Sequence, residues 1–467
     1  MLEPKVWQLT AGSVVLGLTL AAVAVAVAGP WDSGQRKAER EWAAAQDRTG
    51  GAHHDPSAPR TPSPAPSAPD VLSVLTDGTA APAELQADLG RTLKPLLDAK
   101  ALGPLRTASV VDATTGEPLY GKGADTPMTP ASTVKIATTV AALSALGPDH
   151  RIATTVMATR DGRTVTLVGG GDATLDRTGL GALAEDTARA LRDRGVTEVR
   201  VRYDASLYSG PRAHPIGPND NIAPVDALMA GQGRLDTSAD TSAGGPAPRS
   251  GDPAGDAADL FAQLLRDRGV RTTAAPTAGK PAKGAAPVAK TYSRPLSALV
   301  ERALTESDND IAESLARQTA IATGRPASFA GAGQAVHDRL KKLELPLTGA
   351  RFADGSGLDR RDRASAALLT ALLARAADPA HPELRPVLTG LPVARFTGTL
   401  RSRYGNAAPA AGLVRAKTGT LTGVNTLAGT VVDARGRLLA FAFMAGSTTA
   451  PAGAQAALDR LSAALVR

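Results

Sequence analysis

The N-terminal stretch from Val6 to Trp31 contains no charged residue and is mostly apolar. About 20 such residues are enough to span a bilayer core. Lys5 precedes the run and Trp7 lies where interfacial aromatic residues are common, which favours a cytoplasmic N-terminus. The small residues Ala26-Val27-Ala28 also fit a signal-peptidase site. We therefore predict that residues 1–31 are a membrane anchor, in contact with the bilayer through residues 6–31, or a cleaved signal peptide; a buried soluble helix is the remaining alternative.

Residues 32–84 are polar and proline-rich, with runs such as PSAPRTPSPAPSAPD. A segment so poor in branched apolar residues cannot bury enough surface to fold alone, so a disordered linker is predicted. His53 and His54 lie within it, but a metal site needs further ligands at defined spacing, so we expect them to be solvated. The segment would separate an exported globular part from the membrane.

Composition narrows the function of that globular part. The chain has 467 residues, 43% of them hydrophobic, which supports two or three domains with sizeable cores. Cysteine is absent, which excludes disulfides, thiolate nucleophiles and cysteine-based metal sites. The net charge is +7, yet only 3% of the residues are aromatic and the basic residues are scattered. No nucleic-acid partner is therefore expected.

Turn signals predict a chain of mixed α and β structure. Hairpins are predicted around Thr114-Thr115-Gly116 and Asp161-Gly162, and residues 419–446 predict three strands with a turn at Ala434-Arg435-Gly436. The hexapeptide LRDRGV occurs at Leu191 and again at Leu265. It indicates either a duplicated helix–strand unit or two ordinary glycine helix caps.

The stretch MTPASTVKIATTVAAL places Lys135 inside an apolar run. Thr129 and Pro130 form a favourable N-cap and first helical position, which puts Ser132 in the first turn and Lys135 on the same helix face. A neutral lysine can remove the proton of a serine hydroxyl. To act as this base near pH 7, Lys135 needs a pKa about 2 to 3 units below that of an ordinary lysine. We therefore expect desolvation by apolar neighbours and a second cation nearby. The alternative is a half-exposed surface lysine.

Two further stretches carry candidate site residues. Ser307-Asp308-Asn309 precedes an apolar helical pattern, although Asp310 and Glu313 could simply form a capping box there. Lys417-Thr418-Gly419 begins the closing β run, where the alternative is an ordinary turn lysine. Each stretch alone is a weak signal, whereas the order Ser-x-x-Lys, Ser-x-Asn, Lys-Thr-Gly is typical of penicillin-recognising serine enzymes.

The sequence resembles the D-alanyl-D-alanine carboxypeptidase/endopeptidase family of penicillin-binding protein 4 type, peptidase family S13. Besides the three motifs, the resemblance includes LVGGGDATL at 167–175 and DGSGLDR at 354–360, whose glycines we interpret as tight turns. It extends from about residue 85 to the end. Ser307 follows Ser132 by 175 positions, which implies a domain inserted between the first two motifs.

The resemblance implies an α/β (α+β) fold. A β-lactamase/transpeptidase-like catalytic domain, with an antiparallel sheet flanked by helices, would comprise 85–150 and 290–467. An inserted mixed α/β domain would occupy 151–289. The three motifs should then meet in space although they are distant in sequence.

The resemblance also implies roles for the motif residues. Ser132 would be the nucleophile, Lys135 its base and Ser307 a proton relay. The remaining site residues would bind the substrate: Asn309, Lys417, Thr418, Gly419 and Thr420. The backbone N–H groups of Ser132 and Thr420 would form the oxyanion hole.

The implied partners are peptidoglycan stem peptides, with β-lactam antibiotics as covalent inhibitors, and neither a cofactor nor a metal is implied. Carboxypeptidase activity, alone or together with cross-link endopeptidase activity, would take place outside the cytoplasmic membrane or in the wall. A β-lactamase, an esterase or a non-catalytic wall-binding homologue are the alternatives. A Ser-His-Asp triad using His150, His214, His337 or His381 is the chemical rival, but no G-x-S-x-G elbow is present.

Overall fold

A computed structural model describes residues 82–235 and 245–466. The predicted anchor at 1–31 and most of the predicted linker at 32–84 lie outside these residues. The first described helix begins at Pro82, within the last residues of that linker. Among the described helices, none combines the length and apolar character needed to cross a bilayer.

Ten α-helices occur in the described residues. They are α1 Pro82–Leu97, α2 Val134–Leu146, α3 Arg177–Arg192, α4 Pro253–Arg266, α5 Leu296–Thr305, α6 Asn309–Ala322, α7 Phe329–Lys342, α8 Ala366–Ala377, α9 Pro386–Thr389 and α10 Pro451–Ala463.

The first sheet has five strands, and every pairing is antiparallel. The strands are β1 Leu105–Asp112, β2 Pro118–Lys122, β9 Arg415–Leu421, β10 Val424–Val432 and β11 Leu438–Gly446. Their order in the sheet is β2-β1-β11-β10-β9. The predicted hairpin at 114–116 and the three closing strands are therefore confirmed. The N-terminal and C-terminal parts of the described chain meet in this sheet, because β1 pairs with β11.

Helices cover both faces of the first sheet. In β11, Phe441 and Phe443 pack with α1 and α10, whereas Ala442 and Met444 pack with α2 and α8. Successive side chains of a strand point to opposite faces, so an almost continuous apolar strand is required when both faces are buried. The expectation of an antiparallel sheet flanked by helices is thereby confirmed.

The second sheet is mixed. Its order is β6-β5-β4-β3-β8, and β7 also pairs with β5. The pairs β3–β4 and β3–β8 are antiparallel, while β5 pairs in parallel with β4, β6 and β7. The strands are β3 Ala153–Ala158, β4 Thr164–Val168, β5 Glu198–Asp204, β6 Arg271–Thr272, β7 Thr277–Ala278 and β8 Ala286–Tyr292. The second predicted hairpin, around Asp161-Gly162, is confirmed, and the range 151–289 stays our prediction for the inserted domain.

The two LRDRGV copies have the same local structure. Helices α3 and α4 each end within a copy, and each helix is followed by one of the parallel strands β5 and β6. Val196 N donates to Leu191 O at 2.9 Å, and Val270 N donates to Leu265 O at 3.1 Å. Gly195 therefore terminates α3 and Gly269 terminates α4, and both glycines have a positive φ.

Candidate active site

Ser132 lies in a 3₁₀ turn, Ala131–Thr133, that leads directly into α2. The predicted cap at Thr129 is wrong. Its hydroxyl donates to Arg360 O at 3.4 Å, and the Pro130 carbonyl accepts hydrogen bonds from Thr133 Oγ1 and Thr426 Oγ1, both at 2.7 Å. These contacts hold a tight turn in place of a regular first helical turn, and Ser132 still lies three residues before Lys135.

Lys135 is completely buried, and its amine has three oxygen partners. Nζ lies 3.0 Å from Ser132 Oγ, 2.7 Å from Asn309 Oδ1 and 2.6 Å from Ser356 O. The serine hydroxyl contacts Lys135 and, at 3.5 Å, the Ser356 carbonyl, and in the described residues it contacts no histidine. The geometry fits a Ser–Lys pair and does not support the rival triad.

Burial is the main cause of the altered pKa of Lys135, which it lowers to about 8. Nearby carboxylates oppose this shift, first that of Asp354 and then those of Asp308 and Glu313. The predicted second lysine, Lys417, is present and fully buried, but it is not among the groups that shift the pKa of Lys135. Burial and the charge of Lys135 lower the pKa of Lys417 well below its ordinary value. The site therefore shifts Lys135 towards the neutral amine that a general base requires.

The second motif joins α5 to α6. Ser307 has a φ of +58°, which is uncommon for a residue with a side chain and typical of functional loops. Asp308 is the N-cap of α6, since its carboxylate accepts from Ile311 N at 3.0 Å. Asn309 donates from Nδ2 to Asn221 O at 2.9 Å while its Oδ1 accepts from Lys135. The motif thus reaches the base directly.

The capping-box interpretation of Asp310 and Glu313 is wrong. Asp310 is buried, accepts from Ala223 N at 3.0 Å and pairs with Arg249 Nη1 at 2.9 Å. Glu313 Oε1 accepts from the backbone N–H groups of Gly355 and Ser356, both at 2.9 Å. Both carboxylates serve tertiary contacts because Asp308 already caps the helix.

The third motif lies on β9. Lys417 Nζ donates to Thr418 O at 2.9 Å, and Thr418 Oγ1 lies 2.9 Å from Thr399 Oγ1. A Cβ on Gly419 would come within 2.1 Å of Thr426 Oγ1 and 2.7 Å of Pro130 O. The absence of a side chain therefore lets β9 approach the turn that carries Ser132.

Two clefts open at Ser132. One, of about 340 Å³, is also lined by Ser307, Thr418 and Thr420. The other, of about 200 Å³, is lined by Ser307, Asn309 and Thr420, together with residues that include Gln232 and Leu358. Seven of the eight predicted site residues line these clefts or hydrogen bond to Ser132 or Thr418, and Gly419 lies between two of them on β9.

Sequence reasoning missed the support beneath Lys135. For the segment 354–357 the sequence predicts only a turn, which the φ of +85° at Gly357 confirms. Its Ser356 carbonyl also accepts from Lys135, and Glu313 and Asp354 hold the segment in place. Only the DGSG phrase pointed to this region, since a backbone carbonyl leaves no signature in a sequence.

Three buried side chains near Lys135 have the donor types that can ligate a metal. They are His214, Glu313 and Asp354, whose donor atoms lie within 4.8 Å of one another. The Asp354 carboxylate, however, already accepts four hydrogen bonds. The donors are His214 Nε2, Ser356 Oγ, Gly357 N and Asp359 N. A cation would have to displace them, so the cluster fits a hydrogen-bonded support better than a metal centre.

Known proteins are similar in sequence to this chain over most of its length. The family model described as the D-Ala-D-Ala carboxypeptidase 3 (S13) family matches residues 90–249 and 247–465. Carboxypeptidase DacB of Mycolicibacterium smegmatis is 38% identical over 434 residues, which cover 89% of this chain and 91% of the relative. Carboxypeptidase Rv3627c of Mycobacterium tuberculosis is 37% identical over 427 residues, which cover 87% and 90%.

Solved structures share the fold. Penicillin-binding protein 4 (DacB) from Haemophilus influenzae matches with a TM-score of 0.65 and 23% identity over 81% of this chain and 97% of that chain. The same protein complexed with a novel β-lactam matches with a TM-score of 0.61 and 24% identity over the same shares. From the family match and the two relatives together, the chain belongs to the D-Ala-D-Ala carboxypeptidase 3 (S13) family.

Proposed function

We propose that this chain is a penicillin-sensitive serine D-Ala-D-Ala carboxypeptidase that hydrolyses peptidoglycan stem peptides. The observation that carries the proposal is the 3.0 Å contact between Ser132 Oγ and the amine of the fully buried Lys135. Membership of the S13 family supports the substrate class, since the family description names D-Ala-D-Ala carboxypeptidases.

In the acylation step, Ser132 Oγ attacks the carbonyl carbon of the bond between two D-alanines while Lys135 Nζ takes the hydroxyl proton. The depressed pKa of Lys135, about 8, leaves a usable fraction of neutral amine near pH 7. The backbone N–H groups of Ser132 and Thr420 are the proposed donors to the oxyanion, and each such donor is commonly worth about 10² to 10³ in rate.

Collapse of the tetrahedral intermediate breaks the C–N bond and leaves an acyl-enzyme on Ser132. The proton on Lys135 reaches the leaving D-alanine amine through Ser307, which lines both clefts beside Ser132. Water then attacks the ester, Lys135 accepts one of its protons, and the serine is regenerated. Peptide and free D-alanine are the products.

Substrate binding falls to the remaining motif residues. Asn309 is held by Lys135 and by Asn221 O, so its amide is preorganised at the cleft to position the substrate's amide. Thr418 would bind the terminal carboxylate, and Lys417, whose amine donates to Thr418 O, would hold this part of β9 in place for the substrate. Gly419 keeps β9 close enough to the nucleophile for Thr420 to contribute its N–H.

A β-lactam would acylate Ser132 by the same attack, because its strained amide takes the place of the D-Ala-D-Ala bond. The β-lactam complex of the H. influenzae protein, which shares the fold, supports this part of the proposal. Cleavage of cross-links between stem peptides would need the same chemistry with a longer leaving group.

We place this activity outside the cytoplasmic membrane. The uncharged run at 6–31 and the proline-rich segment 32–84 support an anchor with a spacer, or a cleaved signal, ahead of the enzyme. We assign 85–150 and 290–467 to the catalytic domain and 151–289 to an inserted domain. The strands of the second sheet support an inserted domain near these bounds, although β8 extends three residues beyond 289, to Tyr292.

The test is the intact mass of the full chain after exposure to penicillin, compared between the wild type and Ser132→Ala. We expect a long-lived penicilloyl adduct on the wild type only, and D-alanine release from a stem pentapeptide by the wild type only. Rapid penicillin turnover without a lasting adduct would replace the proposal with a β-lactamase. A wild type that takes up no penicillin would indicate a non-catalytic protein.

A further inference from the structure

His214 lies in the loop that follows β5, and its ring is buried with both nitrogens engaged. Ile216 N donates to Nδ1 at 3.3 Å, so Nε2 carries a proton and donates to Asp354 Oδ2 at 2.9 Å. The ring also packs edge-on against Phe329, with centroids 5.2 Å apart. The histidine therefore has one orientation and one tautomer.

Asp354, the partner of His214, organises the segment 354–357. Its Oδ1 accepts from Gly357 N at 2.6 Å, and its Oδ2 accepts from Ser356 Oγ at 3.0 Å. Burial and the neighbouring Asp354 raise the pKa of Asp362, which favours the protonated form of the carboxyl group beside the Asp354 carboxylate. These donors converge on one carboxylate and fix the turn.

The other side of this segment touches the catalytic groups. Ser356 O accepts from Lys135 Nζ at 2.6 Å, while Ser356 N donates to Glu313. A Cβ on Gly357 would lie 2.1 Å from Ala131 O, which shows how closely the segment approaches the turn carrying Ser132. A displacement of the Ser356 carbonyl would therefore move the lysine amine relative to the serine hydroxyl.

We propose that His214 is a positioning residue for the general base: through Asp354 it holds segment 354–357 so that the Ser356 carbonyl aims the amine of Lys135 at Ser132. The inference rests on the proposed function, because it assumes that Lys135 takes the serine proton. The charged groups that act on His214 are Asp354, Glu313 and Asp359. No residue assignment in the three motifs includes this histidine, which comes from the segment between the first and second motifs.

The proposed role of His214 requires the N–H donor that faces the buried Asp354 carboxylate and does not require the volume of the ring. Removing one partner of a buried hydrogen-bonded pair leaves the other unsatisfied, and the structure relaxes around it. His214→Leu keeps much of the apolar contact with Phe329 but removes the donor. His214→Gln keeps an N–H near the position of Nε2. The two variants therefore separate hydrogen bonding from packing.

The experiment measures acylation of Ser132 by penicillin in full-length protein, resolving the limiting rate constant, the pre-covalent dissociation constant and the adduct amplitude. In His214→Leu we expect the limiting rate constant to fall roughly 10- to 100-fold while the dissociation constant changes less than about twofold. In His214→Gln we expect recovery to within about threefold of the wild type. His381→Leu is the matched control, since His381 hydrogen bonds to Glu383 outside the site and its loss should leave the rate unchanged.

A purely structural role would lower the adduct amplitude and leave the limiting rate constant unchanged, and that result would overturn the inference. It would also be overturned if His214→Gln were no better than His214→Leu. Failure of the proposed function is distinguishable, because in that case the wild type itself would form no adduct.

Discussion

The two sheets of this protein differ in what lies beside them. The first sheet, with α2 and α6, surrounds a buried set of ionisable groups that includes Lys135, Lys417 and Glu313. The second sheet, with α3 and α4, encloses an apolar core of residues such as Leu183 and Phe261. Buried ionisable groups oppose folding unless they are paired, whereas apolar burial favours it. The first region thus combines the chemistry with apolar cores of its own, whereas the second contributes an apolar core without buried catalytic groups.

The loop that follows β5, in the second region, also contacts the catalytic motifs of the first region. After β5 the chain contributes Asn221 O, which accepts from Asn309, and Gln232 Nε2, which donates to Asp308 Oδ2 at 2.6 Å. We therefore expect substitutions in the second apolar core to leave the chemistry intact, and substitutions in this loop to affect it.

The largest effect is expected from Lys135→Met. Loss of the general base should lower the acylation rate constant about 10²- to 10⁴-fold. The free energy of unfolding should fall by about 1 to 3 kcal/mol, because Asn309 Oδ1 and Ser356 O lose their buried donor. Penicillin acylation and urea unfolding measure the two quantities. Retention of the wild-type rate would remove Lys135 from the mechanism.

In the second region, Phe261→Ala should lower the stability strongly and leave the acylation rate constant unchanged. Phe261 is fully buried, so its truncation should lower the free energy of unfolding by about 3 to 5 kcal/mol. The acylation rate constant of the folded fraction should not change, as measured by burst kinetics below the unfolding transition. A tenfold change or more in that rate constant would show that the two regions are coupled through their cores.

A smaller effect is expected from Gly419→Ala. The added methyl group would meet Thr426 and the Pro130 carbonyl, pushing β9 away from Ser132 and lowering the acylation rate by about tenfold or more. Gly90→Ala is the control. No atom lies within 4 Å of its added carbon, so this helix substitution should stabilise the protein by about 0.5 to 1 kcal/mol without changing the rate. Equal rates in the two variants would contradict the close approach of β9.

The smallest effect is expected from Gln232→Leu. It removes one donor to Asp308, and a loss of about 1 kcal/mol corresponds to a rate decrease of about fivefold. Gln86→Leu is the matched control, because Gln86 donates to Pro118 O at an exposed position away from the site. The acylation rate constant should be lower in Gln232→Leu than in Gln86→Leu. Equal acylation rate constants in the two variants would confine the site to the first region.

The site could be predicted largely from sequence because its residues form three local motifs whose order is distinctive. The hairpins could be predicted as well, since turn residues such as Gly116 and Gly162 mark them locally. The start of α2 could not, because Thr133 and Thr426 fix the Pro130 carbonyl through contacts that involve residues almost 300 positions apart.

The support of Lys135 also escaped sequence reasoning. Glu313 matched a local capping pattern, yet its carboxylate binds backbone N–H groups more than 40 positions away. His214 could be considered only as a member of a triad, because nothing near it in the sequence indicates its pairing with Asp354. Local patterns describe helix ends and turns, whereas these contacts are determined by tertiary packing.

The most direct test of the central claim, that burial keeps Lys135 available as the base for Ser132, is the pH dependence of penicillin acylation. Lys135 accepts a proton only when neutral, and its pKa lies at about 8. The rate constant should therefore rise about tenfold per pH unit below that value and level off above it. Lys135→Met should lose this limb. A wild-type midpoint near the ordinary lysine value of 10.5, or the same limb in Lys135→Met, would contradict the account.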